Sequence, residues 1–119
     1  MTLEIFLARL HKEPLTIEFS EAINLINHYY HYTPVAFANG DLDNAGGENE
    51  GSCKIFAFAL MHGLTEAQTL ACFGHYYRDE VLGNPEGEDH QNIRQFMKTG
   101  WQPLEFHGQA LTAKTQFAD

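Results

Sequence analysis

The chain has 119 residues and a mass of 13.5 kDa, which suits one domain and leaves too little chain for two separate cores. Hydrophobic residues make up 44% and charged residues 19%, as in ordinary globular domains. Sixteen acidic residues against seven lysines and arginines give a net charge of -9, which repels phosphate backbones and anionic lipid. We therefore expect neither nucleic-acid nor membrane binding.

The first predicted helix begins behind Thr2, has an apolar stripe at helical spacing and stops before Pro14. Ser20 is predicted to cap a second helix, which continues until Thr33 and Pro34. The stretch 35–51 opens as VAFA and then shows no periodicity, so we predict a long loop. Its three glycines predict positive φ angles or close backbone contacts, and they are Gly46, Gly47 and Gly51.

Residues 52–62 are apolar on nearly all sides and are followed by Gly63, which predicts a central helix buried in the core. Thr65 and Gln68 form a predicted capping box for the next helix, which we extend over residues 66–82. After a turn around Pro85, Asp89 is predicted to cap the last helix, and Trp101 can pack back on it.

Two short strands are predicted near residues 35–38 and 104–107, and these two segments could pair. Residues 110–119 lack a capped or periodic pattern, so we expect them to fray. The predicted fold is one mainly α domain over residues 1–119, with about five helices around the central helix 52–62.

Several long phrases of this chain resemble the HopJ family of type III effector-like proteins. They are HYTPVAFANG, NAGGENEGSCKIFAFAL, GLTEAQTLACFGHYYRDEVLGNPEG and DHQNIRQFMKTGW, and the resemblance covers about residues 29–101. The family takes its name from proteins that plant-pathogenic bacteria inject into host cells, and the resemblance implies no particular biochemical activity. It therefore leaves open whether the chain is an enzyme.

The sequence favours a cytoplasmic location. Cys53 and Cys72 form no CxxC pair, and two thiols do not indicate a disulfide framework. No export signal is visible at residues 1–14, which form an apolar-striped helix instead of the polar leader of many effectors. The resemblance implies secretion into a host cell only if it extends to export.

One candidate chemistry is a cysteine-dependent hydrolase or transferase. Cys53 is predicted in the first turn of the central helix beside Lys54, and both features lower the pKa of a thiol. The GSC phrase is similar to part of a papain-type signature. We assign His75 as the base, with Asp79 or Asn49 orienting it, whereas a small cysteine in an apolar helix is also an ordinary core residue.

Metal binding is a third alternative, although we assign no metal ligand and no cofactor. Cys72, His75 and Asp79 have one-face helical spacing, and His28 with His31 forms a second pair. The acidic loop matches a calcium loop only at its first positions, because position five is Ala45 and position twelve is Ser52. A looser cation site would use Asp41, Asp43, Glu48 and Glu50.

The preferred interpretation is a module that binds a small ligand or another protein, with no assigned reaction. Its groove is predicted between the loop 39–52 and the helix 66–82, where polar side chains lie near several tyrosines. Polar residues of the loop are also expected to bond its backbone and to cap the central helix. The predicted ligand-binding residues are Asn44, Asn49, Glu50, Ser52 and Tyr76.

Overall fold

The computed structural model of the chain describes residues 1–117. Helices dominate these residues, which confirms the mainly α class. In chain order the helices are α1 (Leu3–Lys12), α2 (Phe19–Tyr29), α3 (Glu50–Met61), α4 (Glu66–Ala71), a π-helix (Tyr76–Val81) and α5 (Gln91–Thr99), with 3-10 turns at Pro14–Thr16 and Thr115–Phe117. Within residues 1–117 no helix is long and apolar enough to cross a bilayer.

Five short strands lie among the described residues, so the prediction of only one or two strands is wrong. They are β1 (Tyr30–Tyr32), β2 (Phe37–Asn39), β3 (Leu42–Asn44), β4 (Leu104–Phe106) and β5 (Leu111–Ala113). The predicted pairing of 35–38 with 104–107 is confirmed, because β2 pairs antiparallel with β4 and places Phe37 opposite Phe106. β3 pairs with the other edge of β2, and β1 pairs with β5 in a second sheet.

The C-terminal segment is anchored instead of frayed. Ala110 and Leu111 are buried, and the amide of Lys114 donates to the carbonyl of Tyr29 at 3.0 Å. At the other end of the chain, the amide of Leu3 donates to Oη of the same tyrosine at 3.1 Å. The prediction of fraying is therefore wrong for residues 110–114, and residues 118 and 119 lie outside the described part.

Side-chain caps explain where the first helices begin. Thr2 caps α1 by accepting from the amide of Ile5, as the sequence predicts. α2 begins one residue before the predicted cap Ser20, because Glu18 and Glu21 form a capping box there. It ends at Tyr29 instead of continuing to Tyr32, since the next residues become β1 and gain a strand partner in β5.

The central helix is α3, and its prediction is confirmed within two residues at each end. Its buried residues include Ile55, Phe56 and Phe58, which are 1% exposed or less. Aromatic contacts from three directions surround it: Phe6 packs on Phe58, while Phe37 and Phe96 pack on Phe56. The core therefore sits around α3, with the other helices and both sheets outside it.

The predicted single helix 66–82 is wrong, because the chain breaks after α4 and continues as the π-helix. The capping box of Thr65 and Gln68 starts α4 as predicted. The break lies at Gly74, whose φ is +58° and whose position would place a Cβ 2.5 Å from the amide nitrogen of Phe19. A side chain at this position would collide with the backbone at the start of α2, so the segment turns there.

The stretch 35–51 is a hairpin followed by a turn, so the prediction of a long loop after the extended VAFA segment is wrong. β2 and β3 form the hairpin, with Gly40 and Asp41 at its tip. Of the three glycines predicted to have a positive φ or a close backbone contact, only Gly47 has a positive φ, at +90°. Gly51 is helical, and its missing Cβ makes room for the ring of Phe19, whose Cζ lies 2.9 Å from that position.

Candidate functional site

A cleft of about 560 Å³ opens between the turn before α3, the segment after α4 and the start of α5. Its lining residues are Phe19, Leu42, Asp43, Asn44, Asn49, Gly51, Ser52, Phe73, Tyr76, His90, Gln91, Asn92 and Ile93. The cleft lies where the sequence places a groove, and four of the predicted ligand-binding residues line it: Asn44, Asn49, Ser52 and Tyr76. Glu50 is exposed at the start of α3 and is not in the lining.

Three buried asparagines, Asn39, Asn44 and Asn92, form an amide network beneath the cleft. The Nδ2 group of Asn39 donates to Oδ1 of Asn92 at 3.0 Å, and Nδ2 of Asn44 donates to the same oxygen at 3.2 Å. In return, Nδ2 of Asn92 donates to Oδ1 of Asn44 at 3.0 Å. Because these groups are at most 6% exposed, the network joins β2, β3 and α5 in one arrangement.

Asn49 extends the amide network to the rim of the cleft. Its Nδ2 group donates to Oδ1 of Asn44 at 2.7 Å, while its backbone has a φ of 51°. The expectation that its side chain caps α3 is wrong, because no side-chain hydrogen bond is made to the helix start. Glu48 bonds the loop backbone instead, since its Oε1 accepts from the amide of Ala45 at 2.9 Å.

Aromatic rings form another side of the cleft. The ring of Phe19 is stacked with Phe73 at a centroid distance of 6.4 Å and meets Tyr76 edge-on at 5.0 Å. Phe19 reaches this position because Gly51 has no side chain to obstruct its ring. The cleft therefore presents apolar ring surface opposite fixed amide groups.

The π-helix explains why His75 and Glu80 face each other. In an α-helix, side chains five positions apart point roughly 140° away from one another. Here the amide of Leu82 donates to the carbonyl of Tyr77 at 3.0 Å, five residues back, and this wider turn brings such positions closer to one face. As a result, Nε2 of His75 lies 3.7 Å from Oε2 of Glu80.

Beside the cleft, basic and acidic groups alternate in a row that we call the charge chain. Its members are Arg78, Glu18, His75, Glu80, His90, Asp89 and Arg94. Its shortest contacts are at one end, where Nε2 of His90 lies 2.8 Å from Oε1 of Glu80 and Nη2 of Arg94 lies 2.6 Å from Oδ1 of Asp89. The charge chain connects the start of α2, the π-helix and the start of α5.

The start of α5 differs from the prediction that Asp89 caps it. His90 occupies the cap position with a φ of 50°, and the carboxylate of Asp89 binds Arg94 instead. The Arg94 guanidinium, through its hydrogen bond, lowers the pKa of the Asp89 carboxyl. Arg94 also donates to the carbonyl of Asn84 at 2.9 Å, so it ties the preceding turn to α5.

Tyr76 lies between two imidazoles. Its ring centroid is 4.3 Å from that of His75 and 5.1 Å from that of His90. Tyr76 and His90 both line the cleft, whereas His75 lies behind Tyr76 in the charge chain. The aromatic side of the cleft is thus continuous with its charged rim.

The residues of the predicted cysteine chemistry have different environments. Cys53 is 1% exposed on α3, and burial raises the pKa of its thiol despite the nearby Tyr32 side chain and Val35 backbone. His75 is about half exposed and contacts Glu18, Glu80 and Tyr76, and Asp79 is exposed. Catalysis by Cys53 stays a prediction, and the direction of its pKa shift weighs against it.

The predicted metal sets are not assembled. Cys72, His75 and Asp79 form no cluster with metal-ligand spacing, since the break at Gly74 separates the cysteine from the other two. Cys72 is fully buried, and burial raises its pKa to about 12. The helical spacing of the histidine pair is lost because α2 ends at Tyr29. The four loop carboxylates, Asp41, Asp43, Glu48 and Glu50, form no such cluster either.

Within residues 1–117, the ligand atoms that do lie close together belong to Glu80, Asp89 and His90. The sequence did not predict this set, and it did not predict Asn92 or Phe19 as residues of the cleft. Asn92 could have been found from the sequence, because a polar amide next to Ile93 interrupts the apolar face of α5. His90 carries no comparable signal, since its role depends on Glu80 ten residues earlier.

Comparisons with known proteins place the chain among relatives without an assigned activity. The family described as HopJ type III effector protein matches residues 3–111. A structure described as "Crystal structure of unknown function protein VPA0580" is 52% identical in sequence and has a TM-score of 0.94. That match covers 96% of this chain and 95% of the other. A search of curated proteins finds no match.

Proposed function

This chain belongs to the HopJ type III effector protein family, and we propose that it binds a small neutral molecule in the cleft beside the amide network. The observation that carries the proposal is the hydrogen bonding of Asn44, Asn49 and Asn92 to one another at the cleft. Their orientation is set before any ligand arrives, so less entropy is lost on binding.

The size and polarity of the cleft define the class of ligand. A volume of about 560 Å³ falls in the range of small-molecule sites. The lining combines amide and hydroxyl groups, at Asn49, Gln91 and Ser52, with the ring surfaces of Phe19 and Tyr76. This combination suits a hydroxyl-rich ring molecule with one flat face, such as a neutral sugar or nucleoside.

Charge disfavours an anionic ligand. Asp43 is in the lining, and the whole chain has a net charge of -9. The carboxylates of Glu48 and Glu50 flank the turn before α3. A phosphorylated ligand would therefore meet repulsion from the same side that offers hydrogen bonds.

The experiment is a nuclear magnetic resonance titration of ¹⁵N-labelled protein with a panel of neutral monosaccharides, disaccharides and nucleosides. We expect at least one compound to shift the amide signals of Asn49, Ser52 and Tyr76. Asn49→Ala should lower the affinity for that compound about tenfold, which is the loss expected for one hydrogen bond. The matched control is Asn24→Ala, an exposed asparagine of α2 outside the cleft, which should leave the affinity unchanged.

Two results would contradict the proposal. In the first, no compound of the panel shifts these signals, which would leave a macromolecular partner as the better interpretation of the cleft. In the second, a compound binds but shifts signals elsewhere, and Asn49→Ala binds it as tightly as Asn24→Ala does.

A further inference from the structure

We infer that Glu80, Asp89 and His90 form a binding site for a divalent transition metal at the rim of the cleft. The side-chain ligand atoms of these residues all lie within 4.8 Å of one another. This inference goes beyond ligand binding in the cleft, and it rests on side chains that the proposed function does not need.

The spacing of the ligand atoms fits a single ion. Two atoms that bind one Zn²⁺ at about 2.0–2.2 Å lie roughly 3.3 Å apart in tetrahedral geometry. Nε2 of His90 lies 2.8 Å from Oε1 of Glu80 and 3.8 Å from Oδ2 of Asp89. These two distances lie on either side of the expected value, and all three ligand atoms lie within 4.8 Å of one another, so an ion between them requires the side chains to rotate toward it.

The chemistry of the donors selects the class of metal. One imidazole nitrogen and two carboxylate oxygens suit Zn²⁺ and neighbouring transition ions, whereas Mg²⁺ prefers oxygen ligands and water. Arg94 neutralises part of the charge of Asp89 through Oδ1, and Oδ2 of the same carboxylate is the oxygen that faces His90. Glu80 has no arginine partner in the charge chain, so the three ligands and Arg94 together still favour a cation.

His75 is the outer neighbour of this set, and it lies beside Glu80 at a distance longer than a hydrogen bond. Oε2 of Glu80 faces Nε2 of His75 at 3.7 Å, and Nδ1 of His75 faces Oε2 of Glu18 at 3.7 Å. Metal-binding carboxylates commonly have such outer partners, and losing one typically weakens metal binding by about 10–100-fold. His75 is therefore a positioning residue of the proposed site.

The position of the site leaves room for further ligands on the ion. Three protein ligands leave at least one coordination position for water or another molecule. Because His90 also lines the cleft, that open position lies next to the aromatic side formed by Tyr76. The contact of His90 with Glu80 at 2.8 Å is a hydrogen bond in metal-free protein, and metal binding would replace the shared proton.

The experiment is calorimetric titration of chelator-treated, untagged protein with Zn²⁺, followed by Co²⁺ absorption spectra. We expect one Zn²⁺ per chain, and no comparable binding of Mg²⁺. Glu80→Gln and His90→Ala should each weaken Zn²⁺ binding at least a hundredfold, and His75→Ala should weaken it about tenfold. Far-UV circular dichroism of each variant would show whether it is folded. If His90→Ala is unfolded, the nearly isosteric Glu80→Gln still tests the site.

Matched controls use exposed residues of the same type elsewhere, and they are Glu105→Gln and His107→Ala. Both should bind Zn²⁺ within twofold of the unaltered chain. The inference would be overturned if Zn²⁺ did not bind, or if these controls weakened binding as much as Glu80→Gln and His90→Ala. The two proposals can be separated by repeating the sugar and nucleoside titration on metal-free protein. The affinity measured there does not depend on whether Glu80, Asp89 and His90 bind a metal.

Discussion

The amide network lies beneath the cleft and the charge chain lies beside it, and the two stabilise the structure by different physics. The asparagines are neutral and nearly fully buried, with Asn39 at 0% and Asn92 at 6% exposure. In the charge chain, the side chains of Glu80 and Asp89 are 43% and 53% exposed. Burial makes each amide contact costly to lose, whereas water and salt weaken each charged contact.

The difference assigns separate tasks to the two regions. A buried neutral network keeps its shape across pH and ionic strength, so it suits the recognition of a neutral ligand. The half-exposed charge chain is open to protons and cations from the solvent, and one of its carboxyls, that of Asp89, has its pKa lowered by Arg94. The cleft thus has one constant side and one responsive side.

The largest expected effect is that of a substitution at Gly74. The part of the charge chain on the π-helix follows the break at this residue, where the backbone contacts the start of α2. Gly74→Ala would place a Cβ 2.5 Å from the nitrogen of Phe19 while the residue keeps its φ of +58°. We expect the free energy of unfolding to fall by about 4 kcal/mol, from strain and overpacking together. The measurement is urea denaturation monitored by circular dichroism.

Gly47→Ala is the control for that change. Gly47 also has a positive φ, of +90°, but a Cβ there would meet nothing within 4 Å. Gly47→Ala should lower the free energy of unfolding by about 1 kcal/mol. This value measures the cost of the backbone conformation alone, without a steric collision. Equal losses in the two variants would show that the contact with α2 does not determine the break at Gly74.

The next largest effect tests the constant side. Asn92→Ala removes an oxygen that accepts from Asn39 and Asn44, and a group that donates to Asn44. Three buried hydrogen bonds are lost, although Asn39 and Asn44 keep their bonds to the backbone carbonyls of Asn92 and Phe37. At about 1 kcal/mol for each bond, we expect a loss of about 3 kcal/mol in the free energy of unfolding, with no dependence on salt. The exposed Asn24→Ala should change it by less than about 0.5 kcal/mol, and a similar value for Asn92→Ala would refute the network's role.

The smallest effect is a pH dependence on the responsive side. Arg94 lowers the pKa of Asp89 below its usual 3.8, so the unfolded chain takes up a proton at higher pH than the folded chain does. The stability from this pair is therefore complete above that usual value and is lost as the pH falls below it. Asp89→Asn should remove this part of the acid sensitivity in denaturation curves measured between pH 5 and about pH 2.

Asp43→Asn is the comparison for the acid experiment. Asp43 is an exposed carboxylate on the amide side of the cleft, and no arginine contact is assigned to it. Because it has no arginine contact to lose, Asp43→Asn should change the acid sensitivity less than Asp89→Asn does. If both variants behaved alike, the ion pair of Asp89 with Arg94 would contribute nothing specific.

Local patterns predicted the parts of this fold that depend on nearby residues. The apolar run of α3 and the capping box of α4 are such patterns, because the hydrophobic residues of a helix and its capping residues lie close together in the sequence. A cleft lies at the predicted groove, since the polar turn before α3 and the segment after α4 adjoin the same core helix, and ligand binding there stays a prediction. Asn44 and Tyr76 therefore appear in both the predicted and the observed lining.

Contacts between distant residues account for what the sequence did not show. The amide network joins residues 48 and 53 positions apart, and no periodicity signals such a pair. The break at Gly74 arises from the approach of α2, which is invisible in a segment with good helix-forming neighbours. Because the helix direction changes there, the predicted one-face set of Cys72, His75 and Asp79 could not form.

The attachment of both ends of the described chain at Tyr29 determines how the domain would respond to mechanical force. Leu3 is bonded to its hydroxyl and Lys114 to its carbonyl, next to the three-residue ladder of β1 and β5. A pull applied between Leu3 and Lys114 would load these few hydrogen bonds first. The ladder would open at low force while α3 and the cleft were still unloaded, so the domain would lengthen before its core yielded.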